Sequence, residues 1–381
     1  MGGLGIASSS LISQAAYTGS VMLTMEDVWH RHSGKHYFKP DDIDEFQQMM
    51  WVQSAIEGWE SIFDSQGKPW PFKGELRVEE KMQKELSKET FKFFREQLLE
   101  KGELRQQARI RSASGPGSAG FLYSIPSEPA VSLNNRDMEG AVRLRLGLTP
   151  ITLRRDPSLK CNCGGQIDVD HLLTCKRRDE VCNRHNNLVQ MWTSLLKRAS
   201  VRSTFSVERS LISLGVVSEE NCGKRVDIVE SSSNNKTLFA DVTVTHSTPC
   251  SQSNLRKFAL SDGAAAAEAE VRKQRVYGDA AREVNADFVP LAMESYGRLG
   301  QSALQFSRAK IKEFAATMEF GGEYDSALVA KLQSYWWCAL SCCLQRGNIS
   351  IISRRYYKAL ELKYGDRIHS SKFNVKRILE Q

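Results

Sequence analysis

Apolar positions recur along this chain with two different periods, and the change of period divides it. Over "DDIDEFQQMMWVQSAIEGWESIF" (41 to 63), Phe46, Met49, Met50, Val52, Ile56 and Trp59 come round at helical spacing behind capping aspartates, which predicts a helix that buries one stripe. A second helix is expected from about 78 to 110. It is dense in Lys and Glu four residues apart, the mark of a solvated face. "SASGPGSAG" (112 to 120) ends it and reads as a linker, and "NNRDMEGAVRLRLGL" (134 to 148) then offers an Asn cap and a short helix with Arg143 and Arg145 near its end. From 203 to about 300 short β-rich runs take over, followed by an Ala-rich helix, "DGAAAAEAEVRKQRVYGDAAREV" (262 to 284). The remainder, 301 to 381, returns to helical patterning. An α+β fold is expected.

The β-rich stretch contains "KRVDIVESSSNNKTLFADVTVTH" (224 to 246), two apolar runs around a cluster of Ser, Asn and Lys. In the second run Leu238, Ala240, Val242 and Val244 alternate with Phe239, Asp241, Thr243 and Thr245, so one face packs and the other carries the aspartate. Val226 and Ile228 flank Asp227 in the same way. A hairpin symmetric about Asn234 pairs 227 with 241, with Cβ atoms roughly 4.5 to 5.5 Å apart. Like charges so placed repel unless a cation lies between them, and hard carboxylate oxygens suit Mg²⁺. Two exposed edge-strand aspartates in a slipped register are the alternative. On the helix that follows, Glu270, Lys273 and Tyr277 fall at i, i+3 and i+7 and share a face, where an ammonium could orient an attacking water or form an ordinary surface ion pair.

Composition adds a second candidate. The 381 residues are 41% hydrophobic, as in a folded protein, and include nine cysteines, an odd number. Three of them sit with a histidine in "CNCGGQIDVDHLLTC", which spaces Cys161, Cys163, His171 and Cys175 as C-x-C, x7, H-x3-C. Thiolates and an imidazole are the ligands of a closed, structural zinc site, and scattered thiols with an unrelated histidine are the alternative. The arrangement favours metal in a reducing compartment over a disulfide framework. The net charge is +7, and residues 136 to 209 hold 14 Lys and Arg against 8 Asp and Glu. That sign suits a polyanion. Lys176, Arg177 and Arg178, with Arg184 and His185 just beyond, follow the cysteine cluster and are candidates for phosphate contact, as are Arg143 and Arg145; a merely solvated face is the alternative. Met1 to Met25 lacks a basic leader, and "SYWWCALSCCL" is too short to span a bilayer, so no membrane association is expected.

"RVDIV", "ADVTV" and "EAEVRKQRVY" in this order resemble the restriction-like endonuclease of site-specific non-LTR retrotransposons, a PD-(D/E)xK-type nuclease whose lysine has moved from the second strand to a helix. The cysteine-histidine pattern with "RH" after it and "AVRLRLGL" ahead of it is similar to the zinc knuckle of the same polyproteins. "VPLAMESYGRLG" (289 to 300) resembles the segment after their nuclease core, and "MGGLGIASSSLISQAAYTGS" the stretch after the reverse-transcriptase thumb. Val226 replaces the proline usual before the first aspartate, and Thr243 stands where standard nucleases of this class have lysine. The likeness covers most of residues 1 to 310.

The resemblance implies a helical post-thumb region (1 to 120), a basic segment with a zinc knuckle (121 to 200), a nuclease core of mixed sheet flanked by helices (201 to 310) and a helical C-terminal extension (311 to 381). It implies Asp227 and Asp241 as Mg²⁺ ligands, Lys273 as the displaced lysine, Tyr277 as its companion and Glu208 as the preceding acid. The expected activity is nicking of target double-stranded DNA to prime reverse transcription, in a nuclear protein with a cytoplasmic ribonucleoprotein stage, partnered by element RNA and a reverse-transcriptase domain of the parent polyprotein. No YxDD motif is present, so this chain is not expected to copy RNA itself. The competing expectation is a catalytically inactive, zinc-containing module that binds element RNA or target DNA.

Overall fold

The computed structural model describes residue 31 and residues 48–63, 82–150, 158–175, 179–200, 202–217, 223–233, 236–318 and 326–368. Two units divide the chain at residues 101 and 102. The first contains helices α1 (Met50–Phe63) and α2 (Met82–Lys101). The long helix expected to reach residue 110 ends at Lys101: Glu103 takes an extended conformation, and α3 (Leu104–Ala113) starts afresh in the second unit.

That second unit is α+β. Its sheet has the order β1 (Ser203–Ser210), β2 (Arg225–Ser232), β3 (Thr237–Thr245), β4 (Ala286–Glu294), with β1–β2 and β2–β3 antiparallel and β3–β4 parallel. A parallel neighbour requires a crossover, and α8 (Gln252–Leu260) and α9 (Ala264–Glu283) supply it. Pro290 lies in β4, where an edge strand tolerates the missing N–H. Ala266 and Ala269 of α9 meet Ala292 of β4, side chains small enough to bring helix and sheet together closely. The half-buried alternation expected of the hairpin is replaced by burial on both faces. Ile228, Ala240 and Val242 join a core with Trp192, Leu196, Leu304 and Leu344, while Val229 and Phe239 pack with Tyr277 and Ala281.

Helices surround this sheet. They are α4 (Gly120–Tyr123), α5 (Asn135–Leu146), α6 (Val169–Thr174), α7 (Asp179–Ala199), α10 (Gln301–Met318) and the 43-residue α11 (Ser326–Ile368). The Asn cap expected before α5 is made: Asn134 Oδ1 accepts from Asp137 N at 2.8 Å, and Gly147 at φ 76° closes the other end. α11 runs through the core; Leu340, Leu344, Ile351 and Ile352 are buried along it. The stretch read as a linker is interior. Ser112, Ala113, Gly115, Gly117, Ser118 and Gly120 are all buried, and a Cβ on Gly120 would come within 2.4 Å of the Trp337 carbonyl oxygen. Glycine there serves close packing rather than flexibility. Among the described residues no helix is long and apolar enough to cross a membrane.

Candidate metal and active sites

The cysteine-histidine cluster forms at a tight turn. Cys161 N donates to Gly165 O at 2.8 Å, Gly164 N donates to Cys161 O at 2.7 Å, and Gly164 takes the left-handed conformation at φ 86°. Gly165 sits against the His171 ring so closely that a Cβ would fall 2.4 Å from its Cε1. Asp168 caps α6 by accepting from His171 N at 2.8 Å, so the helix starts where it presents His171, and Cys175 follows at its end. Cys161 Sγ and Cys175 Sγ are 3.8 Å apart, Cys163 Sγ and His171 Nε2 are 3.2 Å apart, and all four donors lie within 4.8 Å of one another. Donors about 2.3 Å from one tetrahedral ion lie about 3.7 Å from each other, so this set can hold a metal ion. The Gly165 amide holds the Cys163 thiol below its usual range, towards the thiolate a metal needs, whereas burial pushes Cys161 up.

A second cluster gathers at the sheet. Ile228 opposes Ala240 and Ser231 opposes Thr237; continued by one residue, that register opposes Asp227 to Asp241, the pairing expected from a hairpin symmetric about Asn234. Asp227 Oδ2 accepts from Val242 N at 2.7 Å, which anchors the carboxylate across the two strands. Asp241 is 1% exposed. Its Oδ2 lies 2.6 Å from Lys273 Nζ in an ion pair. Burial first, then the charge of Asp227, raises the Asp241 carboxyl to about 6, although Lys273 opposes the shift. The Lys273 ammonium also sits over the Tyr277 ring, 5.4 Å from its centroid. Burial, together with the charges of Asp241 and Asp227 and a hydrogen bond to Asp241, holds the Tyr277 phenol well above its usual range, so it stays protonated.

Glu208 and His185 complete the cluster. Glu208 lies in β1 between Val207, paired with Ile228, and Arg209, paired with Val226, which sets it beside Asp227; its φ of 53° is left-handed, costly for a residue with a Cβ. His185 Nε2 is 3.3 Å from Asp227 Oδ1, and His185, Glu208 and Asp227 have donor atoms all within 4.8 Å. Burial lowers the His185 pKa, but the hydrogen bond and charge of Asp227 outweigh it and the net shift is upward. No protein-family model and no curated protein matches the chain.

Other candidates land elsewhere. Arg145 and Arg184, expected to face phosphate, are corrected by their burial: each is 4% exposed, Arg145 donates to Ser118 O at 3.2 Å and Arg184 to Asn348 Oδ1 at 2.7 Å. Desolvation pushes both guanidinium pKa values down to about 10. Arg143 forms an ion pair with Glu139 at 2.9 Å on the surface of α5. Lys176, Arg177 and Arg178 lie outside the described residues. Glu270 does not join Lys273; it accepts from Ser302 N at 2.9 Å and so caps α10.

Sequence reasoning missed two features. Arg209 and Arg225 are exposed immediately beside Glu208 and Asp227, and only the strand register reveals their closeness. Asp170, adjacent to His171, ties the cysteine cluster to the sheet. It accepts from His246 Nε2 at 2.9 Å and Thr248 Oγ1 at 2.7 Å, and pairs with Arg105. His246 Nδ1 in turn accepts from Ser295 Oγ at 2.6 Å. This serine, histidine and aspartate line up as a nucleophilic triad would, but Ser295 is 1% exposed and unreachable by a substrate.

Proposed function

We propose that this chain is a metal-dependent DNA endonuclease of the restriction-like kind found in site-specific non-LTR retrotransposons. The observation that carries the reading is the closeness of two buried aspartates, Asp227, which accepts from Val242 N beside Asp241, and Asp241, whose carboxylate lies 2.6 Å from Lys273 Nζ. Glu208 and Asp227, grouped with His185, and Asp241, paired with Lys273, bring three carboxylates together against one ammonium, a surplus of negative charge that suits a divalent ion. Asp227 and Asp241 are buried while Glu208 is exposed, and two buried like charges kept together without such an ion are costly, so their proximity supports a cation site rather than a structural one.

Asp227 and Asp241, with Glu208, would hold Mg²⁺, which when bound supplies activation of water and neutralisation of phosphate charge. Lys273, next to those carboxylates, can orient the attacking water and offset the charge that builds on the phosphate oxygens. The Tyr277 phenol keeps its proton and supports the ammonium through its ring. Water adds to phosphorus and the bond to the 3′-oxygen breaks, so the products are a 5′-phosphate and a 3′-hydroxyl. Arg209 and Arg225 would contact the DNA backbone. Cys161, Cys163, His171 and Cys175 would hold a structural Zn²⁺. In a nuclear protein with such an activity, the 3′-hydroxyl at the target primes reverse transcription of element RNA by a reverse-transcriptase domain of the parent polyprotein.

Incubation with supercoiled plasmid tests the reading. Nicked circles should appear with Mg²⁺ and not with EDTA, and a DNA polymerase should extend their 3′ ends without prior treatment. DNA binding without nicking in Mg²⁺ or Mn²⁺ would favour a non-catalytic nucleic-acid-binding module.

A further inference from the structure

We infer that His185 is a nitrogen ligand of the cation site, completing with Glu208 and Asp227 a mixed nitrogen and oxygen set that takes a first-row transition-metal dication, such as Mn²⁺ or Co²⁺, in preference to Mg²⁺. The inference rests on the reading of the carboxylate cluster as a cation site, but not on the site being catalytically active.

His185 arrives from a direction of its own. It is held by α7, whose Leu188, Trp192 and Leu196 are locked in the core under the sheet, so its ring reaches the aspartate from rigid secondary structure. Arg184, its neighbour on that helix, turns into the interior towards Asn348. The charges that act on the imidazole come from Asp227, Asp241 and Glu208, one from each of β2, β3 and β1. The ring therefore stands among the carboxylates of three strands.

The hydrogen bond between His185 and Asp227 is long enough to admit a shared ion. A charge-assisted N–H···O contact closes to about 2.7–2.9 Å, whereas Nε2 and Oδ1 stand 3.3 Å apart. Two adjacent ligands each about 2.1 Å from one octahedral ion lie about 3 Å from one another. The grouping of the donors points the same way: one donor atom each from His185, Glu208 and Asp227 lies within 4.8 Å of the other two. The His185 side chain itself is 31% exposed, so the cluster has an open side through which water and a phosphate oxygen can complete a coordination shell.

The nitrogen decides the metal. Mg²⁺ takes oxygen ligands and gives up water reluctantly, while first-row transition ions accept imidazole readily. One imidazole among carboxylates thus tilts the site away from Mg²⁺ without excluding it.

The test uses the full chain with one equivalent of zinc added, so that the cysteine cluster is filled, and Mn²⁺ as the probe. Pulsed EPR should detect nitrogen coordinated directly to bound Mn²⁺, and the signal should change to that of ¹⁵N when the protein is labelled with ¹⁵N-histidine. In His185→Gln the nitrogen signal should vanish and Mn²⁺ affinity should fall about tenfold or more, with Mg²⁺ affinity, read by competition, changing less than threefold. Bound Mn²⁺ with oxygen ligands alone, or a nitrogen signal that survives His185→Gln, would overturn the inference and leave the nuclease reading intact. No Mn²⁺ binding beyond the zinc equivalent would overturn both. If His185→Gln fails to fold, His185→Asn takes its place with the same readouts, and absence of a ¹⁵N-histidine signal from the unaltered chain overturns the inference by itself.

Discussion

The two clusters are built in opposite ways. Cys161, Cys163, His171 and Cys175 come from one stretch of fifteen residues, fold around a glycine turn and bring four donor atoms within 4.8 Å of one another, the number a closed tetrahedral site uses. His185, Glu208, Asp227, Asp241 and Lys273 come from α7, β1, β2, β3 and α9, and meet only once the sheet has assembled. One is a closed, soft-ligand site that can stabilise folding; the other is an open, mostly hard-ligand site whose buried charges work against folding. A metal ion should therefore have opposite consequences at the two places. Losing it from the first costs structure, while the second is strained without it.

The largest expected effect breaks the first region. Cys175→Ser should reduce bound zinc from one equivalent to less than half and lower stability by about 3–5 kcal/mol, roughly 10 °C in Tm, because a closed site of this kind contributes folding energy. Elemental analysis with thermal unfolding reads both, and an unchanged Tm would show that the cluster is not structural. Next comes the tie between the regions. Asp170→Ala strands His246 and Thr248 in the interior, so a loss of about 2–4 kcal/mol is expected in denaturant unfolding with zinc content unchanged. Retained stability would mean that the two regions stand independently.

The third effect has the other sign. The Asp241 carboxyl is raised in the folded protein from the usual 3.8 to about 6, so the folded state holds a proton that the unfolded state has released. Stability of the metal-free protein should then fall as pH rises from about 4 to about 6 and level off above. Asp241→Asn should stabilise the metal-free protein at pH 8 by on the order of 1–3 kcal/mol and have little effect near pH 4. Destabilisation at pH 8 would contradict the strain assigned to this region. The smallest effect concerns its rim: Arg209→Ala with Arg225→Ala should weaken binding to unrelated DNA sequences equally and reduce the salt slope by about two units. An unchanged slope would remove both residues from the interface.

The same contrast explains what the sequence makes legible. Ligands within fifteen residues, with glycines between them, need only local geometry to be read. The opposition of Asp227 and Asp241 is legible for a similar reason, since a short turn sets its own register. Burial of the hairpin on both faces is not, because it depends on helices from distant parts of the chain, α7, α10 and α11 on one face and α9 on the other. Arg184 and His185 are neighbours in a basic stretch, yet one enters the core and the other reaches the aspartate; only the packing of α7 separates their roles. "SASGPGSAG" misleads because glycine and serine serve flexible linkers and tight helix contacts alike, and the close approach of the Trp337 backbone and the Arg298 side chain decides between them.

The central claim is that Asp227, Asp241 and Lys273 act as one unit on phosphodiester bonds. A plasmid-nicking comparison of the unaltered chain with Asp227→Ala, Asp241→Ala, the double variant and Lys273→Ala tests it most directly. Each single variant should lose Mg²⁺-dependent nicking by at least about a hundredfold while still binding DNA, and the double variant should be scarcely worse than either single, because groups that act together are not additive. Nicking that survives Asp241→Ala, or losses that multiply in the double variant, would contradict the account.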